Sequence, residues 1–540
     1  MKNRFFVWGM TCLLGLSMLS CDKVKEDLDI LIKADDLIRY SVMVQVNEAT
    51  GEIPEDLSIS VVGEDADYVY DIAGNKELAI SGGLITLGVH PKHEPVEGDP
   101  VRFSVKISGP DYVSMIVPVR IDKNQFSQIK ELKIVNASTP PPTVAVAKEE
   151  AALASDGTPA EPITVSSPTN AVTNEVTSVT VPASTQFLNA AGTPVVGSSV
   201  SMSVVNYNTK SSETATLFPG GKLNATNVKG PENKNISAFF MPAGFASINF
   251  DVNGTAIKKF SQPINVAIEI DPQYKLLASN TTIKEGDKIA IWSYSEDTGD
   301  WQYEKEGTVS TANGKLLVPF TTDHLTVYSI AEYVETTDCT SPTAVFSASW
   351  LKQDTQPMTL EIWNEDLSKK LSSETIVVSD GLEVVLNDLP AFAVRYKVLS
   401  QGAEIASGSI ADPCSGGQVN IILPAPAVPL VGITLSLTVK CPDKGTVIPP
   451  DFYLYYKNAG APDTEYKLLG IVKQGKLSTT LLEVGKRYDF KAIYGDRKKF
   501  IGNHLIDKTD MSTTVGVNDN LGSVVPDQNR AILIEECSKL

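Results

Sequence analysis

Val101-Arg102-Phe103-Ser104-Val105-Lys106-Ile107 alternates apolar and polar residues without a break. Successive side chains of an extended chain point to opposite faces, so this spacing predicts a strand with one buried and one wet face. Working outward, Tyr40 to Val46, Leu57 to Val62 and Val113 to Ile121 are strand-like too, and Val200, Met202 and Val204 alternate further on. Gly82-Gly83 and Gly109-Pro110 punctuate the turns. No apolar repeat of helical period extends beyond a few turns. Four His and nine Met stand among many Val, Thr, Ser, Pro and Gly, and the predicted class is all-β.

At 540 residues the chain exceeds one domain, and about 150 residues per domain gives three or four. We read 38–136 as a first β-sandwich, which resembles an immunoglobulin-like module without its buried Trp and disulfide. Residues 137–174, opening on Pro140-Pro141-Pro142 and rich in Pro, Ala, Thr and Ser, read as an interdomain linker that could lend a strand at Thr143 to Ala147. A second β-module spans 175–335, and two further sandwiches occupy 336–428 and 429–540. The last two are alike: Gly381-Leu382 leads through Leu386 and Leu389 to Val394 and Tyr396, as Gly475-Lys476-Leu477 leads through Leu481 and Leu482 to Tyr488 and Phe490. The expected architecture is a string of about four β-sandwiches.

The chain opens with Lys2 and Arg4, an apolar stretch from Phe5 to Leu16, and Ser17-Met18-Leu19-Ser20-Cys21. This resembles a bacterial lipoprotein signal, cut before a cysteine whose sulfur then carries diacylglycerol. Met18 departs from the Leu, Val or Ile usual three places before the cut. Phe5 to Ser20 is shorter than the roughly 20 residues that cross a bilayer, so residues 1–21 are expected to be signal and lipobox, with Cys21 the lipidated residue. Residues 22–37 read as a tether, and the acids behind Cys21 resemble the export signals of surface-exposed Bacteroidota lipoproteins, diluted by Lys23 and Lys25. The implied location is the outer membrane, exposed at the cell surface, with a periplasmic-facing lipoprotein as the alternative.

In order, Phe218-Pro219-Gly220-Gly221, Met241-Pro242-Ala243-Gly244-Phe245, Ile289 to Tyr294, the turn Glu296-Asp297-Thr298-Gly299-Asp300 into Trp301, and His324 to Ser329 run through the second module. They resemble the extracellular β-modules of cartilage intermediate layer proteins and ZU5-like folds. The resemblance implies an extracellular β-structural module and carries no catalytic residue.

Of the six cysteines, Cys12 leaves with the signal and Cys21 is acylated. Cys339, Cys414, Cys441 and Cys537 remain, and four cysteines allow three connectivities. The sequential one, Cys339 with Cys414 and Cys441 with Cys537, closes each of the last two modules on itself, as an exported protein permits.

The net charge of -19 repels nucleic acid. His90-Pro91-Lys92-His93-Glu94 lacks a third metal ligand and the helical spacing of a zinc protease. His324 beside Asp323 reads as a structural histidine, and His504 as a loop residue. Gly220-Gly221-Lys222 lacks the upstream glycine of a phosphate loop, Cys414-Ser415-Gly416-Gly417 reads as a turn, and no nucleophile elbow occurs. The Glu296 to Asp300 turn lacks the spacing of a calcium loop. Aromatic residues are the better clue to a ligand: Trp350 and Trp363 in the third module, Tyr453 and Tyr455 in the fourth, as a platform for a sugar ring. The expectation is a lipid-anchored, non-enzymatic envelope protein acting as stalk or binding module, with no cofactor, no metal, no catalytic residue and no nucleic-acid partner. Its partners would be the membrane, through the anchor, and a glycan or protein ligand. The alternatives are a glycan- or protein-binding adhesin and a carbohydrate-active accessory enzyme.

Overall fold

A computed structural model describes residues 32–33, 38–515, 534 and 537–538, with short breaks at 52–53, 55, 81, 124, 297, 428–429, 443–444 and 496. The signal, Cys21 and most of the 22–37 tether lie outside the described residues. The fold is all-β, with eight sheets that make four sandwiches in sequence order. In the first, Val69–Asp71, Leu84–Val89, Ser41–Glu48 and Ser127–Ile134 form one sheet, and Ser58–Val62, Val101–Gly109 and Tyr112–Ile121 the other. Val101, Phe103, Val105 and Ile107 are buried between them, while Arg102 is exposed and Ser104 and Lys106 are half-buried. That is the face assignment the alternation predicts.

The second sandwich is larger, with an eight-stranded and a six-stranded sheet. Its spine is Asn235–Val252, which pairs with Val327–Glu335 and Ser199–Tyr207. The register shifts between Pro242 and Gly244. A Cβ on Gly244 would lie 2.9 Å from Ile268 Cγ2 and 3.0 Å from the Glu269 carbonyl oxygen, so only glycine lets the strand bend this close to the opposite sheet. Between the sheets Phe218, Phe240, Phe245, Trp292 and Trp301 are almost fully buried. Phe218 stacks on Trp301 with centroids 4.9 Å apart, and Phe240 meets Trp292 edge-on at 5.0 Å.

The stretch 137–174 corrects the linker expectation. Val144–Ala152 pairs along its whole length with Ser199–Tyr207, and Ile163–Ser166 pairs with Thr177–Val181. Val144 and Ala147 belong to the apolar core, and Ala145 is buried as well. These strands sit at sheet edges, so one half of their surface stays wet and their composition stays polar.

One wiring serves both remaining sandwiches. In the third, the first strand Thr343–Ser347 lies between Glu383–Val385 and the last strand Gln418–Ile422, and the second sheet runs Lys370–Val378, Gln356–Asn364, Val394–Ser400, Ala403–Ile410. In the fourth, the first strand Ile433–Cys441 pairs with Lys476–Thr479 and the last strand Asp510–Val515, and the second sheet runs Lys467–Val472, Phe452–Asn458, Arg487–Tyr494, Arg497–Leu505. First and last strands are parallel in both, and also in the first sandwich, where Ser41–Glu48 pairs with Ser127–Ile134.

Both disulfides join the sequential pairs. Thr343 faces Gln418 in the parallel register and Thr340 bridges Ser415. Both offsets equal the 75-residue separation of Cys339 and Cys414, so that bridge continues the strand pairing as a covalent rung. Cys441 ends the first strand of the fourth sandwich and binds Cys537, beyond its last strand.

The chain divides into two compact units. One comprises residues 37–430 with 494–496; the other comprises 1–36, 431–493 and 497–540. Within the first unit the sandwiches do not hang as separate beads. A single apolar cluster joins the second and third and takes in Ala49, Ile116 and Val135 of the first. The Tyr294 hydroxyl donates to the Ile116 carbonyl at 3.1 Å, Lys130 pairs with Glu374 at 3.2 Å, and Lys133 pairs with Glu213. Asp388 accepts from Lys222 at 2.7 Å and Asn224 at 2.8 Å. Burial alone would raise the Asp388 pKa, but Lys222 and Lys130 hold it below the usual range. In the second unit Ile32 and Lys33, expected as tether, form a strand parallel to Gly445–Ile448 with Ile32 opposite Val447.

Trp292 donates its Nε1–H to the Ala331 carbonyl at 3.2 Å and packs against Phe240, Tyr303 and Tyr333. Trp292→Ala is expected to destabilise the first unit by about 3–5 kcal/mol, read as a lower urea midpoint by circular dichroism.

Candidate functional site

Histidines come first, because a reaction centre would draw on them. His93 Nε2 lies 2.7 Å from Asp65 Oδ1, and its ring stacks on Tyr68 at 3.8 Å. Asp65 also accepts from the Arg102 amide at 2.7 Å. His90 caps the Pro91–His93 turn by accepting from the Lys92 amide. These contacts hold a turn against neighbouring strands. Among the described residues no three His, Cys, Asp or Glu side chains gather as a metal site. His504 lies edge-on to Phe490 at 5.9 Å, and burial lowers its pKa.

His324 ends the strand Lys315–His324. Its Nε2 lies 3.5 Å from Glu304 Oε1 and its Nδ1 3.2 Å from Asp323 Oδ1. Glu304 also accepts from the Ser293 hydroxyl at 2.5 Å. The serine is thus bonded to the carboxylate and not to the imidazole, which is no arrangement for a nucleophile and its base. Hydrogen bonding to Glu304 raises the His324 pKa, against burial, with Asp323 adding to it. Burial would raise the Glu304 pKa, but bonds from His324 and Ser293 bring it below its ordinary value.

In the Glu296 to Asp300 turn the Gly299 amide donates to the Ser295 carbonyl at 2.8 Å and the Ser295 amide to the Asp300 carbonyl at 2.9 Å. Glu296 lies 3.7 Å from Lys258 Nζ. Asp297 lies outside the described residues.

The four aromatic candidates part company. Tyr453 and Tyr455 are 1% and 2% exposed, which rules them out as an open sugar platform. Strand alternation does place them on one face, with Lys457, but that face is covered. Lys491, opposite Tyr455 on the next strand, is buried with its ammonium 5.1 Å from the Tyr455 ring and 4.6 Å from the Tyr466 ring. Lys457 sits 4.9 Å from Tyr466 and pairs with Asp463 at 2.9 Å and Asp489 at 3.5 Å. Burial brings the Lys491 pKa down to about 8. Trp350 is partly buried against the core and donates to the Leu423 carbonyl at 3.1 Å. It pins the end of the third sandwich.

Trp363 alone of the four lies on an outward strand face. In Gln356–Asn364 the residues Gln356, Met358, Leu360 and Ile362 are buried, and Thr359, Glu361 and Trp363 alternate with them. The Trp363 Nε1–H donates to Glu361 at 2.9 Å, which fixes the ring. Lys397 and Lys370 lie 5.1 Å and 6.0 Å from its centroid, and Arg395 is its cross-strand neighbour. Lys370 pairs with Glu361 at 3.1 Å and Lys397 with Glu404 at 3.3 Å. An oriented indole among hydrogen-bonding cations and carboxylates can stack on a flat apolar sugar face while its neighbours bond hydroxyls. Between the first and second sandwiches a cavity of about 20 Å³, lined by Met115, Val135, Tyr207, Phe245 and Tyr294 among others, has room for about one water.

No family model matches the chain, and no curated protein does. Among solved structures it is similar to the Bacillus anthracis TIE protein at 10% identity and a TM-score of 0.12, over 68% of this chain and 57% of that one. A streptococcal ancillary pilin matches at 9% identity and 0.14, over 44% of this chain and 94% of its own. The major pilin SpaD from Corynebacterium diphtheriae matches at 10% and 0.13, over 89% and 98%. The chain thus spans little more than half of the first of these proteins. TM-scores this low establish no shared fold.

The His324 contribution has a definite sign. A raised folded-state pKa stabilises fully below the unfolded value of about 6.5 and stops doing so as pH rises through the folded value. The depressed Glu304 pKa acts oppositely, its contribution lost as pH falls through its folded value. His324→Gln should therefore cost most stability in mildly acidic solution, below the unfolded value of about 6.5 and above the range in which Glu304 is protonated, and least in alkaline solution beyond the raised folded value, measured as urea midpoints across pH. For the aromatic residues, Tyr455→Ala should cost the C-terminal sandwich about 3 kcal/mol, whereas Trp363→Ala should cost less than half of that, by the same measurement.

Proposed function

We propose that this is a lipid-anchored, non-enzymatic protein of the cell envelope, whose first three sandwiches form a stiff body with a ligand-binding face at Trp363. The observation that carries the reading is the employment of its polar groups. His90, His93 and His324, the three histidines with carboxylate or turn partners, each hold strands or turns in place. At the module junctions Lys130, Lys133 and Lys222 pair with Glu374, Glu213 and Asp388, and Lys369 donates to the Pro242 carbonyl at 3.4 Å. Chemistry needs groups left over from such work. What remains at a strand surface is the oriented Trp363 with its cationic rim, which suits recognition of a glycan.

The lipobox ending at Cys21 supports the anchor, and no helix among the described residues is long and apolar enough to cross a membrane. Three acyl chains, at about 0.8 kcal/mol per buried methylene, would hold the body without help from the protein surface. Disulfides of this kind persist in oxidising compartments, which agrees with export.

Cells expressing the protein should incorporate an alkyne-tagged fatty acid at Cys21, and Cys21→Ala should abolish the label. External protease should remove the protein from intact cells. The soluble body, from Asp22 onward, should bind members of a glycan array, with Trp363→Ala lowering affinity at least tenfold and Tyr455→Ala leaving it unchanged wherever that variant is folded. Turnover of a polysaccharide or ester by that body would contradict the reading, as would glycan binding indifferent to Trp363.

A further inference from the structure

We propose that the C-terminal sandwich, residues 431–515 with Ile32 and Lys33, is the module held at the lipid surface, and that its partner there is the headgroup layer. The inference deepens the anchoring reading and rests on acylation of Cys21. Two independent observations carry it.

The first is strand pairing. The N-terminal segment does not pass straight from the anchor into the first sandwich. Ile32 and Lys33 pair in parallel with Val447 and Ile448, extending the sheet whose central strand is Ile433–Cys441. Ile32 is eleven residues past Cys21, and at no more than about 3.5 Å per residue that length reaches roughly 40 Å. Once the pair forms, the sulfur that enters the bilayer is leashed to the edge of the C-terminal sandwich. Cys441, one strand further in, is bridged to Cys537, so both ends of the chain are fastened within this one module.

The second is charge. Residues 37–430 carry 26 Lys and Arg against 46 Asp and Glu, a balance of -20, whereas residues 431–540 carry 15 against 13, a balance of +2. An anionic headgroup surface repels the first set and not the second, within a Debye length of about 8–10 Å. The module that pairing holds to the membrane is the one whose charge tolerates it.

The test uses the full, acylated protein in vesicles of phosphatidylethanolamine and phosphatidylglycerol containing a headgroup-labelled acceptor lipid. A donor dye is attached at Gln474→Cys, in the exposed turn between Lys467–Val472 and Lys476–Thr479, the other cysteines being acylated or bridged. Efficient energy transfer is expected. Ile32→Pro with Lys33→Pro removes the two amide donors and breaks the pair, and should lower transfer at least twofold. A thirty-residue Gly/Ser insert between Asp29 and Ile32 keeps the pair, lengthens the leash and should lower transfer likewise, so a folding defect in the proline variant cannot decide the result. Acylated, vesicle-bound protein whose transfer is already as low as that of the insert variant overturns this placement and leaves the anchor standing. A mass spectrum showing Cys21 unacylated overturns both.

Discussion

Parallel pairing between the first and last strands of a sandwich is the contact on which this molecule depends. It brings together residues some seventy-five positions apart, as with Thr343 and Gln418 or Thr434 and Asp510, and parallel neighbours can be joined only by such long crossings. Loop-closure entropy opposes the contact until the intervening strands have filled the core between the sheets. The first, third and fourth sandwiches, which share this pairing, therefore fold as closed circuits or not at all. The Cys339–Cys414 bridge sits where this circuit is most vulnerable, at the entry to both strands, and restricts the unfolded chain where restriction helps most.

Closure within each of these sandwiches is followed by packing between sandwiches. The first three sandwiches are packed against one another: a single apolar cluster runs between them, and lysines and carboxylates answer one another across the seams. Asp388 is the clearest case, a carboxylate from the third sandwich neutralised by Lys222 of the second. Polar groups spent in this way hold the first three sandwiches together.

Much of this was legible in the sequence, because strands buried on one face write their geometry as alternation. Val101 to Ile107 is the plainest example, and the likeness of the last two modules, visible only as spaced Leu and aromatic residues, corresponds to a shared strand wiring, to which the fourth adds Gly445–Ile448 beside its first strand. The pairing of cysteines was legible for the same reason, since module length sets register. Edge strands were legible only in part: Thr143 to Ala147 reads as a lent strand, but its continuation to Ala152 does not. Val144–Ala152 is buried at Val144, Ala145 and Ala147 and exposed over most of its second half, so its composition matches that of a linker. Ile32–Lys33 is too short for any period to register. Tyr453 and Tyr455 misled for another reason: alternation assigns side chains to faces but does not say whether the second face is covered, and here lysine stems and tyrosine rings close over it. Trp363 was named with three other aromatic residues, and only the fold separates the one on an outward face from those that do structural work.

Native-state hydrogen exchange, followed residue by residue, reaches the central claim most directly. If first-to-last pairing closes the sandwiches that have it, amides of Thr343–Ser347 and Gln418–Ile422 will open together, with one free energy and one denaturant dependence, and those of Ile433–Cys441 and Asp510–Val515 will do the same. Rapid exchange along either last strand while its parallel partner stays protected would contradict the account.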